Sequence, residues 1–195
     1  MVIEPIFEKE FCSTSYGFRP GRGCKDALRE VQKQLDQGLT WVVDADLQSY
    51  FDTIHPGKTH IGNCLREGEG FDFLGYRFEA KKRWVQKKSI LKFRDAVREK
   101  TKRNCGKSIH KVITDLNRIV KGWYNYFKHV DKWSMGTFDS FIRRRLRAIL
   151  RAQQKRPGHG RCLRDHMEWP NAYFANLGLF TMKEARALEV ASQSR

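Results

Sequence analysis

Apolar residues recur along this chain with two different periods. Over LTWVVDADL they alternate, with Trp41, Val43 and Ala45 on one face and Val42, Asp44 and Asp46 on the other, which predicts a strand. KTHIGN, after the breaker His55-Pro56-Gly57, is a further short strand. FDFLGYRF alternates as well, and RWVQ, following Ala80-Lys81-Lys82, is placed to fold back on it as a hairpin. Together these pieces predict one small antiparallel sheet of roughly three or four strands. Ahead of them, SYGFRPGRGCKDAL reads as a Gly/Pro loop entering a helix. That helix runs from about Lys25 to Gln37, with Ala27, Leu28, Val31 and Leu35 on one face and Gly38 stopping it.

From Ser89 onward the period is helical. A first helix over 89–103 carries Ile90, Leu91, Phe93, Ala96 and Val97 and ends at Cys105-Gly106. Ser108 caps a second, whose stripe of Ile109, Val112, Ile113, Leu116, Ile119, Val120, Trp123, Tyr124 and Phe127 is the longest regular pattern in the chain. Trp123 and Phe127 fall on that stripe and are read as core. A third helix over 136–154 buries Phe138, Phe141, Ile142, Leu146, Ile149 and Leu150, and Pro157-Gly158 closes it. Three helices with short connections predict a bundle, followed by a Trp-Pro turn, an aromatic knot and a short terminal helix. The fold class expected is α+β.

Charge sharpens this division. Residues 1–80 hold 9 Lys+Arg against 13 Asp+Glu, whereas residues 81–161 hold 25 against 5, net +20, and residues 162–195 are balanced at 4 against 4. A block so one-sided repels itself on folding, and a polyanion relieves that repulsion. In the third helix Arg143, Arg144, Arg147 and Arg151 fall opposite the apolar stripe, with Arg145 at its border. Asp139 is the only acid there, so pairing within the helix does not explain the arginines. Lys81, Lys82, Arg83, Lys87 and Lys88 extend the basic field over the hairpin, and Arg98, Lys100, Lys102 and Arg103 along the first helix. Tyr126 and His129 are placed to reach a base or ribose.

The five cysteines are odd in number and scattered, which points to reduced thiols. His159, Cys162 and His166 lie close in sequence but lack the paired spacing of a zinc site. No apolar run reaches membrane-spanning length and the first residues are acidic, so a cytoplasmic protein without a membrane partner is expected.

Several of these segments together resemble group II intron-encoded reverse transcriptase/maturases. SYGFRPGRGCKDAL is similar to the family's fingers, WVVDADLQSYFD to the palm strand with the first catalytic aspartate, and HPGKTHIG with GFDFLGYRF to the end of the palm. RWVQKK through KGWYNYFKHV to FIRRRLRAILR resembles the maturase-specific thumb, and WPNAYFANLGLFTMKEARAL the C-terminal tail. The implied organisation is a fingers/palm fragment over 1–54, an end-of-palm strand and hairpin over 55–88, a helical thumb over 89–158 and a tail over 159–195.

The resemblance makes Asp46 the remnant catalytic aspartate, with Asp44 beside it as a weak Mg²⁺ ligand, and places Arg19 and Arg22 in the fingers. The Tyr-x-Asp-Asp segment of the family is absent, as if deleted in frame near Ile54-His55. Phosphoryl transfer by such enzymes needs two Mg²⁺ ions clamped by carboxylates from more than one segment. The expectation is therefore an RNA-binding protein that needs no cofactor for binding and does not itself polymerise. A non-specific basic protein that also takes DNA, and a decayed gene product, are the alternatives the sequence leaves open.

Overall fold

The computed structural model describes residues 8, 11–45, 60–130 and 133–193. Asp46 and the junction near Ile54-His55 lie outside the described residues. The chain divides into two compact units, Met1–Trp84 and Val85–Arg195. Both helix and antiparallel strand are present, in keeping with the α+β expectation.

In the first unit, helix α1 (Cys24–Asp36) starts where the Asp26 carboxylate accepts the Gly23 N–H at 3.0 Å. Strand β1 (Trp41–Asp44) pairs antiparallel with β2 (His60–Asn63), Trp41 opposite Asn63 and Asp44 opposite His60. A separate sheet holds β3 (Phe71–Phe73), β4 (Tyr76–Glu79) and β5 (Lys82–Val85) in that order. The single sheet expected from the sequence is thus two. The second closes on itself because both of its turns are two residues long with positive φ, Leu74-Gly75 and Ala80-Lys81, a geometry whose twist matches the flanking strands. Phe71 and Phe78 face each other across β3 and β4 with ring centroids 5.0 Å apart. On the opposite side Arg77 bonds Glu79 at 2.9 Å and Asp72 at 3.4 Å.

The second unit is built on α2 (Lys87–Lys100), α3 (Ile109–Phe127) and α4 (Trp133–Gln153). Ser108 caps α3, its hydroxyl accepting the Lys111 N–H. The stripe read from the sequence is the core: Val112, Leu116 and Val120 of α3 meet Phe138, Ile142, Leu146 and Ile149 of α4, all buried. Each such side chain contributes about 1.5–3 kcal/mol by leaving water. Trp123 sits among Phe93, Phe127 and Phe138 at 4.6–4.8 Å, as its position on the stripe implies.

Three shorter helices complete the unit: α5 (Leu163–Glu168), α6 (Asn171–Asn176) and α7 (Met182–Gln193). They fold back onto α3 and α4. Both oxygens of buried Asp139 accept backbone N–H groups at the start of α7, from Met182 and Lys183 at 3.0 Å each. Asn117 of α3 donates to the Gly178 carbonyl at 2.7 Å and accepts the Phe180 N–H at 2.9 Å. The tail is therefore part of the helical unit rather than an appendage to it.

Candidate nucleic-acid interface

Four acids among the described residues of 81–161 could neutralise its cations, and each is committed. Asp95 pairs with Arg98 at 2.6 Å, Glu99 with Lys100 at 3.1 Å, and Asp115 with Lys107 and Lys111 at 2.9 and 3.6 Å. Asp139 serves the start of α7. The pairs of Asp95 and Glu99 are exposed and of the kind that add at most about 1 kcal/mol, whereas Asp115 is half-buried. The remaining positive charge is unopposed within the block.

Part of it gathers around one ring. Phe141, expected in the core, is only half-buried. The guanidinium carbons of Arg94 and Arg98 from α2 and Arg144 from α4 lie 5.9, 5.8 and 5.6 Å from its centroid. The ring face attracts all three cations, while among the described residues only Asp95, paired with Arg98, offsets their mutual repulsion. Burial, followed by the charges of Arg161, Arg98 and Arg94, lowers the pKa of Arg144 from its usual value. The Arg94 Nε is sealed from solvent without a hydrogen-bond partner. This arginine ridge has no carboxylate in it beyond the exposed Asp95.

Neighbouring arginines do other work. Arg145 closes the end of α2: its Nε donates to the Thr101 hydroxyl at 2.8 Å, and its Nη2 to the carbonyls of Thr101 and Arg98 at 2.7 and 3.3 Å. A cation there satisfies the last carbonyls and the negative end of the helix dipole.

Arg147 corrects an expectation. Placed on the solvent side by its spacing, it is only 2% exposed. Its Nε donates to the Trp169 carbonyl at 2.9 Å and its Nη2 to the Asn171 side chain at 3.1 Å. The tail covers a second face of α4, and Arg147 is the group that receives it. Arg151 is likewise occupied, its Nη1 pairing at 2.6 Å with Asp165, which is 1% exposed, and its Nε donating to the Pro157 carbonyl at 2.9 Å. Burial pushes the Asp165 carboxyl up, but the Cys162 thiol and the Arg151 guanidinium outweigh it and hold it below the usual carboxylate range.

The first unit redirects two more. Arg19 is buried against Glu8, donating to both carboxylate oxygens at 2.8 and 2.6 Å. Arg22 donates to the carbonyls of Ser13 and Ser15 and so braces its own loop. Lys81 and Lys82 are exposed at the hairpin tip, and Arg83 is half-buried beside them.

Lys87 and Lys88 stand exposed in the first turn of α2, which contains no acid. Lys102 is exposed, and Arg103 is half-buried with its Nε unpaired. Arg143 and Arg144 are half-buried and carry no ion pair with a described residue. Tyr126 packs edge-on against Phe127, and His129 is exposed.

Asp44 is exposed at the end of β1. Among the described residues, no three His, Cys, Asp or Glu side chains come together to hold a metal ion, the His159, Cys162 and His166 trio included.

The ridge was partly legible. Arg94 and Arg98 share a face at i,i+4 spacing, a signal that would have added Arg94 to the expected set. Arg161 carried no such signal.

No helix of the described residues is long and apolar enough to cross a membrane. Residues 90–167, which span α2 to α5 and contain the whole ridge, match the group II intron, maturase-specific domain. Protein YkfC of Escherichia coli is 52% identical over 59 residues, 28% of this chain and 16% of that protein. Group II intron-encoded protein LtrA of Lactococcus lactis is 37% identical over 54 residues, 28% of this chain and 9% of LtrA. Nuclear intron maturase 2, mitochondrial, of Arabidopsis thaliana is 29% identical over 108 residues, 47% of this chain and 15% of that maturase. The matched stretch is thus less than a fifth of each of these relatives.

Proposed function

Because residues 90–167 make this chain a group II intron maturase-type protein, we propose that its second unit binds structured intron RNA through the arginine ridge around Phe141. The observation that carries this is three guanidinium groups held on one ring with no acid among the described residues to pair them other than Asp95. A guanidinium is planar, always charged and able to grip phosphate through two parallel hydrogen bonds. Folded RNA is recognised chiefly by shape, phosphates and 2′-hydroxyls, which suits a rigid basic ridge better than a groove-reading helix. The relatives named for introns and maturases support intron RNA as the ligand.

Filter binding to a folded intron RNA across about 50–200 mM salt tests this, because each phosphate contact contributes about 0.7–0.9 to the slope of log K against log salt. Replacing Arg94 and Arg98 together by Gln is expected to flatten the slope by roughly 1.5 and weaken binding at every salt concentration. A wild-type slope near zero would remove the electrostatic basis. Competition with duplex DNA separates intron recognition from indiscriminate binding to polyanions: equal displacement by DNA would point to the latter.

The same proposal includes that the chain does not extend a primer. Tyr-x-Asp-Asp is missing from the sequence, so the carboxylates of the first strand have no second set to complete a two-ion clamp. Mg²⁺-dependent DNA synthesis by the purified protein, lost in Asp46→Ala, would contradict it.

A further inference from the structure

Beside the ridge lies a recess of about 300 Å³ walled by Arg143, Arg144, Arg147, Arg161, His166 and Asn171, with no Asp or Glu in its wall. Its floor is built, not incidental. Arg147 is 2% exposed and fixed by Trp169 and Asn171 through Nε and Nη2, while its Nη1 takes no part in those bonds. Phe174 lies under the same guanidinium at 5.4 Å.

The rim is built too. Gly160 comes so close to α4 that a Cβ would lie 2.8 Å from the Ala148 nitrogen, the Arg144 carbonyl oxygen and the Arg147 Cβ. That approach, with a φ of +71° in the left-handed region that favours glycine, sets the next residue, Arg161, in the wall of the recess. Neither Arg143 nor Arg161 makes an ion pair with a described residue. Burial, and after it the charge of Arg143, lowers the pKa of Arg147 from its usual value, with Asp165 acting in the opposite direction.

We infer that this recess is a site for a phosphate group presented end-on, such as a terminal phosphate of RNA or a free polyphosphate. The inference deepens the RNA-binding proposal above and rests on it only for the source of the phosphate. Four guanidinium groups, opposed only by Asp165 behind Arg147 and by Asp139 near Arg143, with no carboxylate in the wall itself, favour a ligand of more than one negative charge. A backbone phosphodiester brings one and has two free oxygens. A terminal phosphate brings nearly two and offers three free oxygens to forks that converge from different sides. The volume is at the small end of the roughly 300–1,000 Å³ typical of small-ligand sites, enough for a phosphate end but not for a duplex.

The test uses the full chain and short single-stranded RNAs of one sequence bearing a 5′-phosphate, a 3′-phosphate or hydroxyls at both ends, with affinity read by fluorescence anisotropy. Calorimetric titration with pyrophosphate runs in parallel. One phosphate-bearing RNA is expected to bind about tenfold tighter than the hydroxyl form, the equivalent of one charged hydrogen bond. Arg161→Gln and Arg143→Gln, both away from the core, should erase that preference while Lys92→Gln preserves it. Pyrophosphate binding that is lost in Arg161→Gln, without any preference among the RNAs, would support the site with a free phosphate as its ligand. RNA bound with equal affinity in all three forms, together with no pyrophosphate binding, would overturn the inference and leave the ridge proposal standing. Failure to bind any RNA while pyrophosphate still binds would sink the ridge proposal instead.

Discussion

Three consecutive arginines in α4, followed two residues later by a fourth, have four different surroundings. Arg143 and Arg144 face the recess, Arg144 also lies over Phe141, Arg145 ends α2, and Arg147 is enclosed by the tail. Sequence spacing separated Arg145 from the others but set Arg147 with the solvent-facing group. The apolar stripe reveals only the face that meets α2 and α3. What covers the other side comes from residues about twenty positions further on, and no local period encodes that.

The consequence is measurable. Arg147→Gln should destabilise the second unit by about 1–3 kcal/mol, because the buried Trp169 carbonyl loses its donor. Arg147→Lys should not restore it, since an ammonium cannot serve both acceptors with the geometry of a planar fork. Urea denaturation of the two variants against wild type checks this, and a midpoint unchanged in both would show Arg147 to be dispensable for stability.

At the scale of elements, helices were read well. Expected ends lie within about three residues of those observed, because the 3.6-residue period and the Ser108 cap are local signals. The sheet was read less well. Strand identity follows from alternation, but which strands pair depends on turn geometry, and two primed turns isolate β3–β5 from β1–β2.

One helix carries a local conflict. Lys87 and Lys88 occupy the first turn of α2, where the helix dipole disfavours cations by about 0.3–1 kcal/mol each. Two residues that weaken their own helix are better explained by a ligand than by the fold. Replacing both by Glu is therefore expected to raise thermal stability by a few degrees while weakening RNA binding. A variant whose stability and affinity moved in the same direction would argue against that division of roles.

For the molecule as a whole, the boundary between Trp84 and Val85 puts the ridge, the recess and the entire described core of the helical unit on one side. The sequence was divided four ways, at 54, 88 and 158, and its reversal of charge at residue 81 and change of period at 89 fall on either side of the boundary between the two units. The attachment of the tail was not visible in the sequence, because it is made by single residues such as Asp139 and Asn117 reaching across 43 to 63 positions. A fragment of residues 85–195 should unfold cooperatively and keep RNA affinity within about threefold of the full chain, a difference under 1 kcal/mol. Circular dichroism melting and the same filter-binding assay test it. A fragment that is helical but melts without a transition would mean the first unit is needed for packing.

The Asp139 carboxylate has a consequence for synthesis. Its only described hydrogen-bond donors are the N–H groups that open α7, so a nascent chain that has already exposed α2, α3 and α4 outside the ribosome still has an unmet acid at its centre. Arg147 waits in the same way for Trp169. The recess, whose floor needs Trp169 and Asn171 on Arg147, can therefore take its final form only after those residues emerge, and a transcript close to the translating ribosome would meet a half-assembled site until then.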